Sequence, residues 1–290
     1  MIIKENPDLV TVIMPVYNAE EYLSEAITSI LDQSYKNIEF IIINDGSTDS
    51  SDSIIKGFLE DKRIHYISRS NKGLVYSLNE GLDIAKGMYI ARMDADDISH
   101  PQRIEKQVEF MLENDQVAVV GCSSYIINFE SKIIGQRNPP TSAFLNKALL
   151  LFGPTLSHPT VMFNRSVIGD DLYYCDDFKH AEDFELWLRL SNKYNMGNLP
   201  EKLFSYRINE SGVSQSNYRE QKKNAADVYC NLKHPGNNDK KLVKMVEVIQ
   251  LKDKYPKVQV IKALSYILVK YELDIMSLIK IGYILRWLIK

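Results

Sequence analysis

Short apolar runs alternate with amphipathic stretches over roughly the first hundred residues. Val10–Met14 is a β-branched run closed by Pro15, which predicts a strand. Ala19–Gln33 then spaces Tyr22, Leu23, Ala26, Ile27, Ile30 and Leu31 along one helical stripe. Ile38–Ile43 is too short for a helix and rich in isoleucine, the pattern of a parallel strand covered on both faces. Asn44-Asp45-Gly46 terminates it, and Asp49 or Ser50 is placed to cap a helix running to about Glu60. Ile64–Ile67, Met88–Met93 and Val117–Val120 read as further strands, separated by helices at Leu74–Ala85 and from Pro101 to about Asn114.

Strand–helix alternation with short links predicts an α/β fold: a Rossmann-like, mostly parallel sheet with helices on both faces. Ligands of such sheets bind beyond the carboxyl ends of the strands. Polar clusters follow three of the predicted strands at that end: Tyr17-Asn18, Asp45-Gly46-Ser47 and Asp94–Asp97. Beyond about Phe129 the regularity fades. Thr160–Phe163 and Leu203–Tyr206 read as strands, Ala181–Lys193 as an amphipathic helix, Ser211–Tyr218 as a polar loop, and the chain from Arg219 onward as helical. The expected division is a sheet-bearing domain over 1–218, in two parts at about 8–123 and about 124–218. A helical region follows over 219–290.

The 290 residues carry a net charge of −3, which excludes a nucleic-acid binder by overall electrostatics. The average hides a split: Lys240–Lys290 holds 11 Lys+Arg against 4 Asp+Glu, net +7, and the remainder is −10. Cys122, Cys175 and Cys230 are odd in number and lack zinc spacing, so reduced thiols of a cytoplasmic protein are expected. The start of the chain lacks the apolar core of a signal peptide, and no apolar run reaches the ~20 residues of a membrane span.

Arg92-Met93-Asp94-Ala95-Asp96-Asp97 is the sharpest chemical feature. Three carboxylates within four residues repel one another unless a cation lies among them. Hard oxygen donors suit Mg²⁺ or Mn²⁺, which combine one or two carboxylates with substrate phosphates. The plain alternative is an acidic turn before the helix near Pro101. Asp45, at a strand's rim beside a glycine, fits a base or ribose at close approach, whereas Asp49 reads as a helix cap. In Ala181–Trp187 the acidic residues of the first helical turn are also expected from the helix dipole alone.

The ordered set Pro15-Val16-Tyr17-Asn18, Asn44-Asp45-Gly46-Ser47-Thr48-Asp49, Asp94-Ala95-Asp96-Asp97 and Glu182-Asp183-Phe184-Glu185-Leu186-Trp187 resembles the family 2 glycosyltransferases of GT-A fold over about residues 8 to 218. Ser77-Leu78-Asn79 and Ser157-His158-Pro159-Thr160 look most like the bacterial branch that builds surface polysaccharides such as O-antigen and capsule. The resemblance implies a metal-dependent, inverting transfer of a hexose or N-acetylhexosamine from a nucleotide diphosphate donor, a UDP-sugar, to a saccharide acceptor carried on a lipid. Pro15, Val16 and Tyr17 would line the base pocket, and Asp45 would accept from the base. Asp94 and Ala95 would meet the ribose or donor sugar, Asp96 would ligate Mn²⁺ or Mg²⁺, and Asp183 would be the general base. His158 and Arg207 would face the diphosphate or sugar. Leu78 stands where some relatives carry Arg, and Asn209 where many carry His. Trp187 reads as core.

Two other functions compete. A sugar-phosphate nucleotidylyltransferase would want a glycine- and arginine-rich loop where Tyr17-Asn18-Ala19-Glu20 stands. A sugar-nucleotide-binding scaffold would have little need of Asp183. The segment Val258–Lys290 intersperses basic residues among apolar ones. It reads either as a helix in the membrane interface at the inner face of the plasma membrane, or as a hairpin packed on the protein or on a second copy in a homodimer.

Overall fold

The computed structural model describes residues 6–178, 180–208, 218–237 and 239–289. Asn209 and nearly all of the predicted loop Ser211–Tyr218 lie outside them. Two compact units are present. One comprises Met1–Thr141, Leu156–Tyr174 and Tyr194–Asn209, the other Ser142–Thr155, Cys175–Lys193 and Glu210–Lys290.

The first unit holds the sheet. Its strands are β1 (Asn6–Val16), β2 (Ile38–Asp45), β3 (Ile64–Arg69), β4 (Gly87–Arg92), β5 (Ile98–Ser99), β6 (Val117–Ile127), β7 (Ile133–Arg137), β8 (Met162–Asn164) and β9 (Asn195–Arg207). Its helices are α1 (Leu23–Leu31), α2 (Ser51–Lys56), α3 (Leu74–Ile84), α4 (Arg103–Glu113) and the single turn α6 (Arg165–Ile168). The strand order is β3-β2-β1-β4-β8-β6-β9-β5, with β7 paired to β6. The first four strands are parallel. β8 then runs antiparallel to both β4 and β6, and β9 lies parallel to β6.

The reason Ile38–Ile43 lacks an alternating pattern is visible in the packing. Val12, Met14, Phe40 and Ile42 join Ile27, Ile30, Ile55 and Ile104 in the core with α1, α2 and α4. The other face meets α3 so closely that a Cβ on Gly81 would lie 2.7 Å from Ile13 Cγ2. With helices on both faces, every residue of Ile38–Ile43 but the partly covered Glu39 is buried. Pro15 does not end β1. It lies past the last β4 pair, Ile13 with Arg92, where β1 is paired on one side only and a missing N–H is tolerated.

The second unit is helical: α5 (Ala143–Leu149), α7 (Glu182–Leu190), α8 (Tyr218–Lys233), α9 (Lys240–Gln250), α10 (Lys257–Lys270) and α11 (Ser277–Ile289). α8 packs on α7 and α9, and α9 on α10. Trp187 is fully buried on the apolar face of α7, as expected. Cys122 and Cys230 are buried, Cys175 is partly so, and all three are free thiols. Among the described residues no helix is long and apolar enough to cross a membrane.

A polar knot holds this unit together. Glu272, whose side chain is 8% exposed, accepts from Tyr229 Oη, His234 Nε2 (3.3 Å) and Lys280 Nζ (2.7 Å). Burial alone would raise its pKa, but the His234 hydrogen bond and the Lys280 charge outweigh burial and hold it at about 2. A folded value below the ~4.3 of an unfolded chain contributes stability that is complete above about pH 5 and is lost as pH falls toward 2. Glu272→Gln is expected to lower stability at neutral pH by on the order of 2–3 kcal/mol and to flatten the acid limb of the profile. Urea unfolding followed by circular dichroism between about pH 3 and pH 7 measures both effects.

Candidate active site

The four parallel strands end together. Val16 is in register with Asn44, and Ile13 with Arg92, so Tyr17, Asp45 and Asp94 all emerge at one rim of the sheet. Among the sequence-predicted base-pocket residues, Val16 is buried in the core, Pro15 is partly covered, and Tyr17 presents its ring to solvent at 55% exposure.

The loops after β1 and β2 are laced to each other. Asn18, at φ 49°, accepts from Thr48 N (2.8 Å) and donates its own N–H to Ser47 Oγ (3.0 Å). Asp49 accepts from Glu20 N and Ser51 N, and Glu20 accepts in return from Ser50 N (2.8 Å). Asp49 is therefore a capping and lacing residue, as its position before the helix suggested. Gly46 has φ +77°, and a Cβ there would meet Asn71 N at 2.6 Å. Only glycine allows the β2 rim to approach the loop after β3 this closely.

Asp45 organises that loop. Its Oδ1 accepts from Lys72 N (2.8 Å) and from Arg69 Nη1, and its Oδ2 accepts from Gly73 N (2.9 Å). Arg69 is in turn bonded to Glu80 and to Ser77 of α3. Leu78, where an arginine stands in some relatives of the resembled family, is buried.

Past β4 the chain turns through the acidic cluster. Asp94, Asp96 and Asp97 each place a carboxylate oxygen within 4.8 Å of the others, while Ala95 between them is buried. Burial, and then the charge of Asp94, raises Asp96 to about 6. Burial, followed by Asp94 and Asp96, pushes Asp97 well above the ordinary carboxylate range. Asp97 Oδ1 accepts from Arg207 N (2.7 Å), and its buried Oδ2 has no hydrogen-bond partner among the described residues. The net effect on Asp96 and Asp97 is a shortage of positive charge despite the arginines nearby. Three hard oxygen donors, one of them buried and unpartnered, suit a divalent cation such as Mn²⁺ or Mg²⁺. The resemblance implied Asp96 as the metal ligand; the structure brings the carboxylates of Asp94 and Asp97 within 4.8 Å of it.

Two arginines counterbalance the cluster. Arg92, buried at the end of β4, pairs with Asp94. Arg207, fully buried at the end of β9, donates from Nε to Asp96 O (2.7 Å), from Nη1 to Asn128 O and Ser131 Oγ, and from Nη2 to Glu25 Oε2 (2.7 Å). Four of its five N–H groups are thereby engaged, so it clamps the acidic loop to α1 and to the β6–β7 turn. The sequence motif begins at Arg92, yet neither its pairing nor the reach of Arg207 is visible in spacing alone.

His158 lies in a buried turn before β8, with Nε2 2.8 Å from Tyr174 Oη. Burial, followed by the charge of Arg92, drives its pKa well below the ordinary imidazole value, so it is neutral at pH 7. Asp183 belongs to the second unit. It is half-buried in the first turn of α7, where its Oδ1 accepts from Phe184 N (2.7 Å). In the same turn Glu185 is taken up by Arg189 (2.7 Å).

Comparison with known proteins identifies the family. The profile of Glycosyl transferase family 2 matches residues 11–171. An uncharacterized glycosyltransferase of Haemophilus influenzae is 38% identical over 77% of this chain and 73% of its own length. The O-antigen biosynthesis glycosyltransferase WbnJ of Escherichia coli is 36% identical over 72% and 83% respectively. Among solved structures, S. aureus TarS in complex with UDP superposes with a TM-score of 0.62 at 19% identity, covering 86% of this chain and 73% of that one. The mannosyltransferase PcManGT from Pyrobaculum calidifontis, in complex with GDP-Man and Mn²⁺, gives 0.62 at 17% identity over 95% and 79%. These neighbours show the GT-A fold. With its profile match spanning more than half of the sequence, this chain belongs to glycosyltransferase family 2.

Proposed function

We propose that this glycosyltransferase moves a hexose or N-acetylhexosamine from a UDP-sugar to a hydroxyl of a lipid-linked saccharide, with inversion, in the synthesis of a bacterial surface polysaccharide. The observation that carries the reading is the convergence of Asp94, Asp96 and Asp97 at the rim where Tyr17 and Asp45 also end. Relatives supply the context: one is described as an O-antigen enzyme, and structural neighbours hold UDP, UDP-GlcNAc or GDP-Man.

Tyr17 offers an exposed ring to the base, with Pro15 and Val16 the other residues assigned to that pocket. Asp45 Oδ2 accepts one hydrogen bond, from Gly73 N, and would accept a second from a base N–H, while the carboxylate holds the Arg69–Gly73 loop beside it. Asp94 and the Ala95 backbone meet the ribose or sugar. Asp96 and Asp97 would hold Mn²⁺ or Mg²⁺, which when bound supplies Lewis-acid stabilisation of the departing diphosphate. Arg207 acts on the donor by fixing the acidic loop, and His158, neutral and bonded to Tyr174, would face the diphosphate or sugar. Asp183 takes the proton of the acceptor hydroxyl, which is a poor nucleophile without a base. One base opposite the leaving group implies a single displacement, giving a β-linked product from an α-linked donor.

Asp96→Ala is expected to weaken Mn²⁺-dependent UDP binding by at least about tenfold in calorimetry, the loss of one charged ligand in a buried site. Unchanged affinity would remove Asp96 from the metal role. Asp183→Asn should cut turnover by about 10²–10⁴-fold while leaving donor affinity within about twofold, the signature of a lost base. Full activity in that variant would sink the assignment.

A further inference from the structure

α11 carries apolar residues on the side that faces away from the protein. Leu278, Ile281, Leu285 and Ile289 recur every three or four residues, and all are exposed, Leu278 at 74% and Ile289 at 87%. The opposite stripe, Ser277, Lys280 and Ile284, is buried, and Lys280 is spent on Glu272. α10 repeats the arrangement. Val258, Ile261 and Val269 point outward, whereas Val260, Ala263 and Ile267 are buried. Leu273 and Ile275, in the turn between the helices, are exposed as well. Lys257 Nζ, at the start of α10, donates to Leu288 O near the end of α11 (2.7 Å), so the two helices form one antiparallel hairpin.

Outward apolar stripes on paired helices mark a binding face. Charge decides what covers it. The segment Lys240–Lys290 is +7, and Lys262 and Arg286 are exposed immediately beside Ile261 and Leu285. Two copies joined through this face would bring two +7 segments together, which repels. A surface with anionic groups outside and hydrocarbon beneath is attracted on both counts, since Lys and Arg stems lie along apolar material while their heads stay in water.

We propose that α10 and α11 are a docking face for an anionic lipid bilayer. Leu278, Ile281, Leu285 and Ile289 enter the boundary between headgroups and acyl chains, and Lys262 and Arg286 meet the phosphates. The contact is peripheral and in plane, because neither helix is long or apolar enough to span. It stands apart from the transfer chemistry, to which these residues contribute nothing.

The test is co-sedimentation of the full chain with vesicles of phosphatidylglycerol and phosphatidylcholine in equal parts, against phosphatidylcholine alone. The wild type should partition onto the anionic vesicles at least about tenfold better, and the preference should shrink as salt rises from about 0.05 to 0.5 M. Leu278→Glu/Leu285→Glu should lose at least about tenfold of that partitioning with an unchanged melting curve. Should that variant melt early, Lys262→Glu/Arg286→Glu carries the same expectation for the anionic preference. Equal sedimentation of wild type and folded variants overturns the proposal. So does a wild type that ignores vesicles but forms a dimer, seen by analytical ultracentrifugation, that the leucine variant dissociates.

Discussion

Crowding of negative charge governs this molecule. Three carboxylates share a space less than 5 Å across, and burial removes the water that would otherwise screen them. Burial and the neighbouring charges push Asp97 well above the ordinary carboxylate range and Asp96 up to about 6. The surrounding protein supplies partial compensation. Arg92 lies beneath Asp94, and Arg103, buried in α4, donates to Arg92 O (2.7 Å). Burial lowers the Arg103 guanidinium only to about 10, so it keeps its charge under the loop. A site held in this state is built to accept positive charge from outside.

The loop is kept in place by contacts from distant parts of the sequence. Arg207 reaches it from the end of β9, 110 residues past Asp97, through both its backbone and its guanidinium. Gln33, buried after α1, donates to Ser99 Oγ (3.1 Å) and His100 O (2.8 Å) and accepts from Ile104 N, tying the exit of the acidic turn to α4. Rigid placement of a charged turn by its neighbours is what a preorganised electrostatic site requires.

Periodicity revealed the parallel half of the sheet well, because two-sided burial leaves uninterrupted apolar runs such as Ile38–Ile43. It served the remainder poorly. β6 continues to Ile127 through Gly121, Cys122, Ser123 and Ser124, all buried, since three neighbouring strands take up its backbone bonds. β9 begins at Asn195, eight residues before its apolar signal. β5 is two residues long and β7 is an edge strand, and neither carries a pattern. At the rim, the carboxylates were legible because charge beside a buried strand is costly and so conspicuous. Arg92 and Arg69 gave no comparable signal, and Arg207 was singled out only through the resemblance, because an arginine's partners are chosen by tertiary geometry. Asp183 was legible only as a motif; its helix clusters with the helical unit rather than with the sheet.

The mutual lacing of the turns after β1 and β2 alters how sensitivity to substitution reads in this family signature. Asn18, Glu20 and Asp49 spend their polar atoms on one another's backbones. Damage at any of them would travel to the sheet's rim through a displaced turn. Intolerance along this stretch thus maps the scaffolding of the rim as much as the footprint of the donor, and the two separate only when affinity is measured beside foldedness.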